Sequence, residues 1–265
     1  MAKTPCGFCE STTYRITKEH VFGEWIGRLF GANQPDMIVR HTLKRDGVAT
    51  PTRYAYGLDH QVRMACRQCN SGWMSALEVL VQPLIMPMIR GAGRRDLNLT
   101  AQLTIARWAM KTAMVAEYIV PKEKRYFTQA ERRSLIDDAI PSRQLGSYVW
   151  LGSYAAKNDG VQASSASMTF ADRVPAAHIS TFAVGKFLVQ VLVERRSVGL
   201  PARPARPGPW DRLLIPIWPS APLLDRVRLS WPPPLNVTDR GFDALFDRFL
   251  ELGAKRGPYR GDSPT

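Results

Sequence analysis

The stretch Cys66-Arg67-Gln68-Cys69-Asn70-Ser71-Gly72-Trp73-Met74-Ser75-Ala76-Leu77-Glu78 decides the reading of this chain. It joins a C-x-x-C couplet directly to a helical pattern. Trp73, Leu77, Leu80 and Val81 recur at helical spacing, and Asn70 or Ser71 is placed to cap the helix. Pro83 and Pro87 are expected to stop or kink it. A second couplet, Cys6-Gly7-Phe8-Cys9, stands at the other end of the same unit, and the chain has no further cysteine. Two such pairs supply four thiolates, the ligand set of a structural zinc site. With four thiolates bound, Zn²⁺ has no open position for water, so it organises chemistry done elsewhere.

Working outward, the segment between the couplets carries the polar dipeptide Glu19-His20. Tyr14 to Thr17 reads as a short strand leading into it. Val21, Trp25, Ile26 and Leu29 predict a short amphipathic helix directly afterwards. Met37 to Leu43 and Gln61 to Ala65 read as strands, the second running into Cys66. A His beside a carboxylate can take the proton of an attacking water. A Glu oxygen and an Asn oxygen suit a hard divalent cation such as Mg²⁺ or Mn²⁺. The bland alternatives are a core or capping His20, a solvated Glu19 and an Asn70 that only caps.

The pattern Cys-x-x-Cys, then Thr17-Lys18-Glu19-His20-Val21-Phe22-Gly23-Glu24-Trp25, then Cys66-x-x-Cys69-Asn70-x-Gly72-Trp73-Met74-x-x-Leu77-Glu78 resembles the HNH, or ββα-metal, endonuclease superfamily. It is most similar to the zinc-stapled branch, which includes a phage endonuclease that resolves Holliday junctions. The resemblance implies that His20 is the general base, and that Glu19 and Asn70 hold a catalytic Mg²⁺ or Mn²⁺. It also implies that Cys6, Cys9, Cys66 and Cys69 hold a structural Zn²⁺. This sequence departs from the family pattern twice. Glu19 replaces the usual Asp, and Met74 stands about where a helix His is usual. His60 or Gln61 is placed for the middle polar position of the motif, and His41 serves equally well. Glu78, eight residues beyond Asn70, either reaches the metal through water or forms a salt bridge. Met74, a soft thioether, would not hold Mg²⁺.

Composition frames these expectations. The chain has 265 residues, a net charge of +13 and a pI near 10, and 27 of its 36 basic residues are Arg. Arg forks onto phosphate, so the partner expected is nucleic acid, DNA ahead of RNA. Arg28, Arg63 and Arg67 lie near the motif and are placed to hold the backbone. Met1 to Cys9 has no apolar signal-like core, and C-x-x-C pairs in a reducing compartment read as metal ligands, so the expected location is the cytoplasm. The apolar run Ile179 to Val193 is too short for a membrane span and reads as a buried strand or hairpin.

The expected fold class is α+β: a zinc-stabilised ββα-metal nuclease unit, residues 1–90, followed by a second α+β unit, residues 97–265. Between them Arg90 to Asp96 is a basic, Gly-rich link. Helices are predicted over Thr100 to Val120, over Thr128 to Ile140 with a Thr128/Glu131 capping box, and over Thr238 to Leu252. Strands are predicted over Ser147 to Tyr154, Ser167 to Ala171 and Ile179 to Glu194. Pro201 to Pro209 reads as extended. Trp108, Met110 and Met114 read as core, and His178 as structural. The function implied is hydrolysis of nucleic-acid phosphodiesters. A zinc-dependent binding module without catalysis and an RNA-directed nuclease are the alternatives.

Overall fold

The structure is a computed structural model that describes residues 4–31, 36–45, 48–138, 146–155, 161–169, 175–195, 212–218 and 229–245. It mixes helices and strands, as the α+β expectation requires. Strand β1 (Ile16–His20) pairs antiparallel with β4 (Gln61–Cys66), a two-stranded ribbon that ends in the second couplet. Between them lie the short helix α1 (Glu24–Leu29) and the strands β2 (Asp36–Arg45) and β3 (Val48–Gly57). After β4 the chain makes one α turn, α2 (Arg67–Cys69), then a wide π turn over Asn70–Met74. It then forms α3 (Ser75–Ile89).

Two expectations about α3 change. Neither Asn70 nor Ser71 caps it: both belong to the winding that starts at Arg67, the backbone kinks at Gly72 (φ −94°, ψ −110°), and no side chain caps the entry. Nor do the prolines stop it, since α3 contains both Pro83 and Pro87 and ends at Ile89. Of the predicted apolar stripe, Leu77 and Val81 are buried, but Leu80 faces outward with Val79. By length and composition the run Arg67–Ile89 could span a membrane. Here it starts on a cysteine cluster and packs against helix α4 (Leu99–Ala116).

The remaining elements are β5 (Arg95–Leu97), α5 (Gln129–Asp137), β6 (Gly146–Ala155), β7 (Val161–Thr169), β8 (Pro175–Val184), β9 (Phe187–Glu194), β10 (Leu214–Trp218), β11 (Leu229–Trp231) and β12 (Val237–Thr238). Asn98 caps α4 through its side chain, and α5 carries the Thr128/Glu131 capping box in full. The run Ile179 to Glu194 splits into β8 and β9, which turn tightly at Gly185, φ 53°. A Cβ at Gly185 would lie 2.5 Å from the carbonyl oxygen of Ile89, so only glycine fits there. The C-terminal helix is described over 239–245. Its predicted end at Leu252 and the segment 201–209 lie outside the described residues.

The large sheet has the order β10-β6-β9-β8-β7-β2-β3, with β12 added beside β6. It draws β2 and β3 from the first third of the chain and the rest from beyond residue 145. Strand β2 joins β7 in parallel, from Met37 opposite Val161 to Arg45 opposite Thr169. One apolar core runs from Phe8 and Ile26 through Trp108 to Val189 and Trp231. Trp108, Met110 and Met114 are all in it. Neither the sheet nor this core breaks at residues 90–97.

His41 and His178 lie buried on this sheet with ring nitrogens against serines, and His41 Nε2 is buried without a hydrogen-bond partner among the described residues. His41 Nδ1 is 2.9 Å from Ser165 Oγ. His178 Nδ1 is 2.9 Å from Ser167 Oγ, and its Nε2 is 2.8 Å from Ser180 Oγ. Burial pushes His41 down to about 4 and His178 to about 3, with Lys124 and Arg195 adding like charge. Because both folded values fall below the unfolded one, the unfolded chain takes up protons first as pH drops. Their contribution is intact above about pH 6.5 and is lost as pH falls toward the folded values. By pH 5 the two together should cost roughly 4 kcal/mol. Denaturant midpoints at pH 7.5 and pH 5 check this. Equal stability at both would mean that neither ring stays neutral when folded.

Candidate metal centre and flanking ribbon

The two couplets meet. The four Sγ atoms of Cys6, Cys9, Cys66 and Cys69 all lie within 4.8 Å of one another, and Cys9 and Cys66 are 3.7 Å apart. The edge of a ZnS₄ tetrahedron with 2.3 Å bonds is about 3.8 Å. These four cysteines can hold a zinc ion. All are free thiols, and Cys6 and Cys66 are fully buried. Backbone N–H groups of Phe8 and Cys66 donate to Cys6 Sγ at 3.5 and 3.2 Å. The Cys69 thiol lowers Cys6 to about 4, while the same contact, with burial, pushes Cys69 up.

Local sequence explains why the knuckles close. Gly7 donates to the carbonyl of Met64 at 2.7 Å, and a Cβ there would lie 2.7 Å from Tyr118 Oη. Phe8 of the first knuckle meets Trp73, just beyond the second, edge to face at 5.0 Å. Helix α5 covers the outside: Gln129 donates to the Phe8 carbonyl at 3.1 Å, and Arg133 to that of Cys9 at 3.3 Å.

Beside the cluster, β1 presents two faces. His20 points outward. Its Nε2 lies 2.7 Å from Gln61 Nε2, so the Gln61 amide donates to the ring when His20 carries its proton on Nδ1. Lys18 faces Arg63 across the ribbon, next to the His20–Gln61 pair, and both are exposed. Arg15 and Arg67 continue this exposed basic edge, where the Arg67 N–H donates to the Arg15 carbonyl.

Glu19 points the other way. It is 8% exposed, and its Oε1 lies 3.5 Å from Nζ of Lys111 on α4. Lys111 Nζ is also 2.6 Å from Glu78 Oε1, so Glu78 does form a salt bridge. Burial opposes charge on Lys111, but the Glu78 and Glu19 carboxylates outweigh it and hold the ammonium above the ordinary lysine range. Glu78 also accepts from Trp25 Nε1 at 2.7 Å and Trp108 Nε1 at 3.0 Å. Helices α1, α3 and α4 and strand β1 thus meet on this one buried cluster. Lys111 gave no signal in the sequence, because a lone Lys in a mostly apolar helix shows its partner only after folding.

Asn70 anchors the ribbon through its amide nitrogen, a different atom from the side-chain oxygen expected to meet a cation. Its Nδ2 donates to Thr17 Oγ1 and to the Lys18 carbonyl, both at 3.0 Å, which ties the head of the helical run to β1. Among the described residues, no hydrogen bond or ion pair joins Glu19, His20 and Asn70 to one another. His60 packs its ring 4.0 Å from that of Tyr56, and burial lowers it below the usual His range. The His60 carbonyl accepts from the Val21 N–H at 3.1 Å, which brings it beside His20. His41 lies within the large sheet, away from this ribbon. Arg28 is exposed and pairs with Glu24 at 2.7 Å. Met74 is buried. No family model, curated protein or solved structure matches the chain.

Proposed function

We propose that this protein is an HNH-type endonuclease that hydrolyses nucleic-acid phosphodiesters, DNA ahead of RNA, with His20 as general base. One arrangement carries the reading. A strand ending in an outward His20 lies antiparallel to a strand entering the second couplet, Asn70 follows at the head of a helical run, and the four-cysteine cluster staples the ends. That is the ββα order in which a zinc-stapled nuclease presents its base.

The chemistry follows from the chain's own groups. With Nε2 protonated and donating to the Gln61 side-chain amide, that amide turned so that its oxygen accepts, the free His20 Nδ1 takes a proton from an attacking water while Gln61 orients the ring. Lys18 and Arg63 flank the pair and hold a backbone phosphate, neutralising the charge that develops on it. The zinc is structural and takes no part in the step. The divalent cation that the family resemblance implies does not fit at Glu19, because Lys111 engages that carboxylate. No step is therefore routed through such an ion. The expected location remains the cytoplasm, where thiols stay reduced and free to bind metal.

A second reading has its own support: a zinc-dependent nucleic-acid-binding module without catalysis. The observation in its favour is the Lys111–Glu19 ion pair. Incubating supercoiled plasmid, single-stranded DNA and RNA with the zinc-loaded protein, in EDTA and in Mn²⁺, separates the two. Cleavage of any substrate supports the nuclease, and preference among the three settles its target. Binding without cleavage supports the module.

Both readings share a salt prediction. If Arg15, Lys18, Arg63 and Arg67 each neutralise a phosphate of duplex DNA, log affinity should fall against log salt with a slope near −3.6. That is roughly a 100-fold loss between 50 and 200 mM. Lys18→Gln with Arg63→Gln should flatten the slope by about two. Salt-independent binding would remove this ribbon from the interface.

A further inference from the structure

Lys111 is the most deeply buried charge among the described residues, with none of its surface exposed. It comes from α4, outside the nuclease motif, and it reaches the carboxylate that the motif assigns to a metal. We propose that Lys111 is the resident cation of Glu19, and that Glu19 is a positioning residue for His20 rather than a metal ligand.

Three observations lead there. The first is space and charge. Nζ lies 3.5 Å from Glu19 Oε1 and 2.6 Å from Glu78 Oε1. A divalent ion bonded to Glu19 would sit about 2.1 Å from its oxygen, with the ammonium a few ångströms away and no water to screen the two. The second is saturation of the neighbour. Glu78 already accepts from Trp25, Trp108 and Lys111, so it has little freedom to swing onto a metal. Even the backbone is fitted to it: a Cβ on Gly23 would lie 2.5 Å from Glu78 Oε2. The third is alternation along β1. Successive side chains of a strand face opposite ways, so pinning Glu19 inward points His20 outward, onto Gln61 and the basic edge. The one-methylene difference between Glu19 and the family's Asp then has a physical use: the longer side chain reaches the ammonium.

The cation assignment stands without the nuclease reading. Only its consequence for cleavage rests on that reading. The experiment uses the full-length, zinc-loaded protein as wild type, Glu19→Gln, Lys111→Met and the double variant. Mn²⁺ binding is followed by the electron paramagnetic resonance of the free ion, which needs no activity. Wild type and Glu19→Gln should bind Mn²⁺ alike, within twofold. Lys111→Met should gain affinity of tenfold or more as two carboxylates lose their cation, and the double variant should lose that gain. A purely structural lysine would produce no such gain. Tenfold weaker binding by Glu19→Gln, with zinc content and melting temperature unchanged, would overturn the proposal. So would a folded Lys111→Met with no gained site. If Lys111→Met fails to fold, the comparison of wild type with Glu19→Gln decides alone. Absence of cleavage by the wild type would count against the proposed function and leave this assignment in place.

Discussion

Cys66→Ser is expected to unfold the N-terminal part of the protein. Cys66 closes the cluster across 57 residues from Cys9 and is fully buried. Structural four-thiolate zinc binding is worth roughly 10–16 kcal/mol of apparent free energy in small zinc domains. A domain's whole stability is about 5–15 kcal/mol. The intact site is thus worth as much as everything else that holds the fold, so even part of it, lost with one thiolate, is a large fraction of stability. Metal analysis should give one zinc per chain in the wild type, and limited proteolysis should cut Cys66→Ser between residues 10 and 66 at rates typical of an open chain. The disturbance should spread, because the first knuckle supports α5 through Gln129 and Arg133. A zinc-free protein with wild-type protection would show that the cluster is an accident of packing.

His20→Ala should lose cleavage and keep binding. The ring is at the surface end of β1 and, among the described residues, hydrogen-bonds only Gln61, so removing it empties no core. Positioned general bases are typically worth about 10²–10⁴-fold. A loss in that range is expected in kcat, with affinity and melting temperature near those of wild type, because phosphate contacts belong to Lys18, Arg63 and their neighbours. Gln61→Ala should cost less, since it only orients the ring. The pattern would fail if His20→Ala lost affinity and kept turnover. His60, whose carbonyl lies on the same ribbon, would then be the next ring to replace.

Much of the cysteine-bearing end was legible because its signals are local. C-x-x-C pairs announce a cluster whatever lies between them. The strands ending at His20 and entering Cys66 follow from short apolar alternation, and the capping box at Thr128 needs only four residues. What was missed depends on distance. β3 was not anticipated, because Val48 to Gly57 is half-exposed edge strand without a strong apolar face. The parallel pairing of β2 with β7 bridges more than a hundred residues, so no window reveals that the first third of the chain contributes to the large sheet. Pro83 and Pro87 read as breakers, yet α3 runs through both of them. At the site, the sequence places Glu19, His20 and Asn70 along the chain but does not reveal the partners that Glu19 and Asn70 meet. The pleat sends Glu19 to a lysine 92 residues away, and Asn70 spends its amide on β1. A motif gives residue types and spacing, whereas the charge that meets a buried carboxylate is decided by tertiary packing.

The central claim is that an outward His20 on a zinc-stapled ribbon hydrolyses phosphodiesters. The most direct measurement is a time course of plasmid nicking by wild type and His20→Ala, matched for zinc content and for DNA affinity, in Mn²⁺. The account predicts steady nicking by wild type and at least a 100-fold slower rate for the variant, the lower end of what a general base contributes. Equal rates for the two proteins would contradict it.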